Sequence, residues 1–282
     1  MVSNMLTITV ITNPFMKLTN SQIKSYLEDG FVLIPHLFTP EEIQHFISEI
    51  SPLSKMDGPQ LIKEKDNLTV RALMGCHFYS ELYRELVCQP RLLGPVTQLL
   101  ESDAYVYQFK INLKAAFGGE IWPWHQDFVY WNNLDGMPNP RAVNVTVFLD
   151  DCTEFNGPLW VIPGSHNAGI YESGAKGEAS SDWSTNVSAD LTFKLDQPTI
   201  ERLVANRNIV STKGVAGSVL IFHPNIVHAS LPNISPFERK LMIITYNSIL
   251  NIPNPKITRR PAFLVNPDTT AEVERNTQLL TR

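Results

Sequence analysis

At Ala104 the chain changes its period, and that change limits the folds open to it. Upstream, apolar residues recur at helical spacing. Thr19 to Asp29 carries Ile23, Tyr26 and Leu27 on one side and is stopped by Gly30. Thr39-Pro40-Glu41-Glu42 combines a Thr cap, Pro at the first helical position and Glu three residues on, ahead of the stripe Ile43, Phe46, Ile47 and Ile50. A third helix is expected from about Ser80 to Leu100, interrupted near Pro90, and Phe31 to Ile34 reads as a brief strand. Downstream, short apolar or alternating runs are separated by Gly, Pro and Asn: Tyr105 to Leu113, Val143 to Leu149, Leu159 to Ile162, Gly217 to Phe222 and Lys240 to Tyr246. Such runs predict a β-sandwich or barrel. Tyr171 to Ala189, rich in Ser, Gly and Ala, is a long loop and a candidate lid, and Gln197 to Asn206 a short helix. The tail from Pro253 is expected to lie extended along the surface. With no repeat and no linker, the economical reading is one domain over residues 1–282. Its helical part would span about 15–100 and its β core about 104–250.

Bulk properties exclude some classes. A hydrophobic share of 43% supports a sizeable core, and a net charge of −5 argues against a general nucleic-acid binder. No apolar run reaches spanning length, so no membrane helix is expected. Met1 to Lys17 lacks a basic n-region and a small-residue cleavage site, which predicts a cytoplasmic protein. Cys76, Cys88 and Cys152 share no metal-type spacing and read as buried, reduced thiols.

Chemistry concentrates in Trp124-His125-Gln126-Asp127 and in Asn225-Ile226-Val227-His228. On an extended segment residues i and i+2 point the same way, so His125 and Asp127 would grip one ion together. His228 from a distant strand would complete one face of an octahedron, the two-histidine, one-carboxylate pattern of non-haem Fe(II) oxygenases. Arg239 follows His228 by eleven positions (239 − 228), just before an apolar strand. A guanidinium there can take a carboxylate through two hydrogen bonds, and a keto acid with a second carboxylate could chelate the metal, as in 2-oxoglutarate. His36, His45 and His77 have no partner at ligand spacing and read as structural. His166 reads as fixing its Pro-Gly-Ser turn, and His223 stands evenly between a place near the site and none. Asn225 offers either an amide to the pocket or a turn after Pro224. The aromatics Trp122, Trp124, Phe128, Tyr130 and Trp131 surround the iron segment. If it is extended, alternation lets only some of them face the pocket.

The ordered motifs carry a resemblance. Gln108-Phe109-Lys110-Ile111-Asn112-Leu113, Trp124-His125-Gln126-Asp127-Phe128, Asp135-Gly136-Met137-Pro138, Asn156-Gly157-Pro158-Leu159, Pro163-Gly164-Ser165-His166 and His228-Ala229-Ser230 through Arg239 resemble the phytanoyl-CoA dioxygenase family of Fe(II)/2-oxoglutarate-dependent oxygenases. Within it the chain resembles the ectoine hydroxylases. The likeness runs from about Gln108 to Asn247. It implies a mainly β protein with a double-stranded β-helix (jelly roll, cupin-like) core and flanking N-terminal α-helices. It implies Fe(II) on His125, Asp127 and His228, with 2-oxoglutarate on Arg239, helped by Ser230, Asn112 and Gln108. Trp131 matches a tryptophan lining the substrate pocket; Tyr130 and Asn225 are added as substrate-side candidates from their own positions beside the ligands. Gln126 replaces a serine of the relatives, and Val129-Tyr130 a glutamate-threonine pair; these differences lie near the substrate side and put ectoine itself in doubt.

The expected activity is an Fe(II)- and 2-oxoglutarate-dependent hydroxylase that uses O2 and releases succinate and CO2. Its substrate would be a small polar metabolite: an amino-acid derivative or a specialised-metabolism intermediate, including a cationic guanidinium alkaloid. Two rivals keep the same ligands: a zinc hydrolase with an open position, and a non-catalytic small-ligand binder. The expected partner is that small molecule, with neither nucleic acid nor membrane, and the oligomeric state is left open.

Overall fold

The computed structural model describes residues 16–171, 183–188, 190–254, 256–257 and 260–266. Its helices are α1 Asn20–Asp29, α2 Pro40–Ser48, α3 Ile50–Leu53, α4 Glu81–Leu86, α5 Pro90–Leu100, α6 Asp127–Asp135 and α7 Gln197–Val204. Its strands are β1 Phe31–Ile34, β2 Leu61–Lys63, β3 Val70–Met74, β4 Ala104–Lys114, β5 Trp122–His125, β6 Ala142–Phe148, β7 Leu159–Val161, β8 Val210–Thr212, β9 Val219–Phe222, β10 His228–Ser230 and β11 Arg239–Ser248. Local chemistry sets the helix starts. Thr19 with Gln22, and Thr39 with Glu42, form complete capping boxes that satisfy backbone donors at both ends of the motif. Gly30 closes α1 at φ 86°, a left-handed conformation in which a Cβ would stand 2.5 Å from the His166 ring. The third expected helix is two: Pro90 starts α5 at its first turn instead of kinking a continuous one.

Two antiparallel sheets build the core. One runs β1-β9-β6-β11-β4-β3-β2 and the other β5-β10-β7-β8. This is the expected jelly roll. Strand alternation divides the labour of the larger sheet. Val143, Val145 and Val147 of β6, Met242, Ile244 and Tyr246 of β11, and Phe109 and Ile111 of β4 pack against Tyr83, Leu86, Leu92 and Val96 of the helices. The opposite face of β6 and β11, through Phe148, Leu241 and Ile243, meets Leu159 and Val161 of the smaller sheet. A register shift between Thr245 and Tyr246 pairs them with Gln108 and Val106, so Tyr107 is the extra residue of a bulge.

Several expectations are corrected. Strands β2, β3 and β8 went unanticipated, so the helical N-terminal region also lends β1, β2 and β3 to the larger sheet. They are three to five residues long, too short to show a period. The expected surface tail folds back instead: Leu264 is 1% exposed, and the Arg260 side chain is buried. Of the loop Tyr171 to Ala189, residues 172–182 and 189 lie outside the described residues, and Trp183–Val187 forms a 3-10 turn. Among the described residues, no helix is long and apolar enough to cross a membrane.

Phe109 is fully buried between the rings of His77 and Tyr83. Phe109→Ala is expected to cost about 3–5 kcal/mol of unfolding free energy by chemical denaturation. Leu68→Ala, at an exposed position, should stay within about 0.5 kcal/mol.

Candidate metal centre and active-site cavity

Strand pairing brings the two imidazoles together. His228 lies opposite His125 in the β10–β5 register, and their ring centroids are 4.2 Å apart. Asp127 arrives differently from the sequence expectation. β5 ends at His125, Gln126 takes the N-cap position, and Asp127 is the first residue of α6. The pair therefore converges through a strand-to-helix turn instead of along one strand. Beginning a helix there also places the carboxylate at the positive end of the helix dipole. Asp127 Oδ1 stands 3.8 Å from His125 Nε2, and Oδ2 3.9 Å from His228 Nε2. One donor atom from each of the three residues falls within 4.8 Å of the others.

The surroundings prepare those atoms. His125 Nδ1 donates to the Pro123 carbonyl at 2.6 Å and His228 Nδ1 to that of Ile226 at 3.0 Å, so each Nε2 keeps its lone pair for the centre. Burial pushes the His125 imidazole down to about 3, aided by neighbouring His228, and burial likewise lowers His228. Burial alone would raise the Asp127 carboxyl. Lys110, His228, His125 and the Asn144 donor outweigh it and hold the group below the usual carboxylate range. The result is two neutral imidazoles and one carboxylate, a donor set suited to a divalent metal with open positions. Asn144 Nδ2 donates to Asp127 Oδ2 at 2.8 Å, and the Thr245 hydroxyl donates to Asn144 Oδ1 at 2.6 Å, which fixes the carboxylate's orientation.

Beside this centre lies a second unusual group. Arg239, the first residue of β11, is 1% exposed. Its Nη2 meets Ser230 Oγ at 3.4 Å, its Nε has no partner, and no described carboxylate pairs with it. Burial pushes its guanidinium down to about 10. An unpaired buried cation is costly, and an anionic ligand would satisfy it. Asn112 Oδ1, also on the cavity wall, is buried without a partner. Gln108, Lys110 and Asn112 share one face of β4 and line the same cavity. The sequence reading missed Lys114, in register with Arg239. Its Nζ donates to the carbonyls of Glu120 and Leu231, and burial, with Arg239 nearby, pushes it down to about 6.

The far side of the cavity holds Tyr130 and Trp131, as expected, but on a helix instead of a strand. Trp131 packs edge-on against Tyr107 at 5.4 Å, and Tyr130 packs against Phe193 at 5.1 Å while its hydroxyl accepts from the Phe193 N–H. Arg260 joins them from the folded-back tail. Its Nε and Nη2 donate to Asp135, which also accepts from the Tyr107 hydroxyl. Nothing in the spacing of the tail signalled Arg260. Of the two roles open to Asn225 the structure shows the turn after Pro224: the residue does not line the cavity, and its backbone bonds to His223 Nδ1 and Gln126 Nε2. Gln126, expected near the substrate, instead ties Gly169, Asn225 and Tyr171 together behind it. His223 packs on Tyr26 and His166 outside the lining, and His166 fixes its loop through the Leu27 carbonyl.

The pattern that defines the phytanoyl-CoA dioxygenase (PhyH) family matches residues 26–241. The chain belongs to that family. It is 42% identical over 250 residues to an L-proline trans-4-hydroxylase of Streptomyces griseoviridis, covering 88% of this chain and 92% of that one. It is 35% identical over 257 residues to an ectoine dioxygenase of Bordetella bronchiseptica, covering 89% and 80%. The crystal structure of EctD from S. alaskensis with 2-oxoglutarate and 5-hydroxyectoine superposes with a TM-score of 0.78 at 27% identity, covering 91% of this chain and 86% of that one. This chain is accordingly a dioxygenase of the PhyH family. The family match ends before Arg260, so that residue enters the site through the structure.

Removing the unpaired cation should separate stability from binding. Arg239→Met is expected to leave the metal-free protein as stable as wild type or up to about 4 kcal/mol more stable by thermal unfolding. The same variant should lose 2-oxoglutarate binding in calorimetry.

Proposed function

We propose that this dioxygenase hydroxylates a small amino-acid-like substrate, with Fe(II) held by His125, Asp127 and His228 and 2-oxoglutarate held by Arg239. The observation that carries the reading is the meeting of three metal-type donors with a buried guanidinium that has no carboxylate of its own. When bound, Fe(II), 2-oxoglutarate and O2 supply an oxidative decarboxylation in which one oxygen atom enters succinate and the other a substrate C–H bond, with release of CO2 and an alcohol.

The residues do the positioning. Arg239 would take the distal carboxylate of 2-oxoglutarate, with Ser230 holding the guanidinium and Asn112 and Gln108 contacting the ligand's other end. Tyr130 and Trp131 would wall the substrate and keep water from the reacting carbon. Arg260, fixed by Asp135, would meet a substrate carboxylate. Charge favours this over a cationic guanidinium substrate. Lys110, Arg239 and Arg260 all line the cavity; Asp127 belongs to the metal set, and Asp135 is engaged by Arg260 and Tyr107. Relatives named for L-proline and ectoine agree with a compact amino-acid-like ligand. A zinc hydrolase would leave Arg239 without employment, and the intact set of His125, Asp127 and His228 argues against a non-catalytic binder.

Asp127→Ala should abolish succinate formation, assayed with 2-oxoglutarate and a panel containing L-proline and ectoine, while circular dichroism stays native. Retained turnover would remove Asp127 from the metal set. Arg260→Met should raise the apparent substrate KM by roughly 30-fold or more with the 2-oxoglutarate KM unchanged. Equal effects on both constants would reject its assignment to the substrate.

A further inference from the structure

Among the described residues, three buried side chains on the cavity wall carry polar atoms without partners. Arg239 and Asn112 face the proposed 2-oxoglutarate. The third is Asn186, in the turn Trp183–Val187. It is 8% exposed, and both its Oδ1 and Nδ2 lack a partner. A buried amide with neither atom bonded is costly, and such orphans in a folded protein usually mark a ligand or an ordered water. Its neighbour Val187 packs with Ala72, Met74 and Leu264. Asn186 is therefore a polar point in an otherwise apolar stretch of wall, on the segment that packs against the folded-back tail.

We propose that Asn186 is a specificity-determining residue whose Oδ1 accepts a hydrogen bond from the substrate's amine. The inference rests on the amino-acid reading above and narrows it. Arg260 would hold the carboxylate, and a buried ammonium then needs an acceptor. Asp127 is committed to the metal set, while Asp135 is engaged by Arg260 and Tyr107. Asn112 lies with Arg239 at the 2-oxoglutarate end. Asn186 offers a neutral acceptor, while Val187, Leu191 and Leu264 offer only hydrocarbon and Met74 at most a weakly accepting thioether. The ligand chemistry that fits is a compact α-amino or α-imino acid: amine and carboxylate on one carbon, with an apolar body toward the metal.

The test uses the Fe(II)- and 2-oxoglutarate-loaded enzyme without oxygen, titrated with L-proline and with N,N-dimethyl-L-proline, whose quaternary nitrogen has no N–H to donate. Binding is read from the visible charge-transfer band. Wild type should prefer L-proline. Asn186→Ala should weaken L-proline by roughly 5- to 100-fold, weaken N,N-dimethyl-L-proline much less, and leave 2-oxoglutarate affinity unchanged. Asn186→Asp, which keeps an acceptor, should retain the preference. An unchanged L-proline affinity, or an equal loss for both ligands, overturns the proposal. So does a wild type that ignores L-proline yet forms succinate with ectoine. Absence of succinate with every amino acid of the panel would instead sink the proposed function itself.

Discussion

Antiparallel pairing of β5 with β10 sets His125 opposite His228, and the rest of the site is arranged around that contact. Neighbouring strands lie about 4.8 Å apart, so residues in register place their side chains within reach of a single ion. The smaller sheet thus does two tasks with one ladder: it closes the jelly roll and spaces the imidazoles. Asp127 need then only be delivered from the side. The turn at Gln126 achieves this by ending the strand and beginning α6 at the carboxylate.

The larger sheet supplies the remaining chemistry through its two faces. On β4, Phe109 and Ile111 anchor the helical layer, while Gln108, Lys110 and Asn112 face the cavity. The bulge at Tyr107 lets that residue share the cavity side with Gln108, where it meets Trp131 and Asp135. β11 divides similarly: Met242 and Ile244 hold helices, and Thr245 supports Asn144 beneath Asp127. The apolar core and this wall of the cavity are therefore opposite faces of the same strands. Their rigidity is shared.

Electrostatically the cavity is suited to anions. Among the described residues, Arg239 is buried without a carboxylate, Lys114 beside it is pushed toward neutrality, and Arg260 is held in a bidentate ion pair with Asp135. A protein built for stability alone would not keep Arg239 in that condition. The cost makes sense where the carboxylate of 2-oxoglutarate completes the pairing, as proposed above.

The sequence by itself determined the elements whose signals are local. Capping boxes at Thr19 and Thr39 announced α1 and α2, alternation announced β4, β6 and β11, and ordered motifs around His125, Asp127, His228 and Arg239 announced the metal-type cluster. Only the tertiary structure decided what depends on distant contacts. Strands β2, β3 and β8 are too short to show a period and exist because a neighbouring edge pairs with them. For Asn225 the sequence left a pocket amide and a turn both open, and the fold takes the turn, with its backbone engaged by Gln126 and His223. Arg260 and Asn186 sit on segments without periodic pattern, and they reach the cavity because Leu264 and Val187 bury their side chains in one cluster with Ala72 and Met74. A local pattern records what a residue does to its own backbone; which buried polar atom is left for a ligand is settled by everything else that failed to bond it.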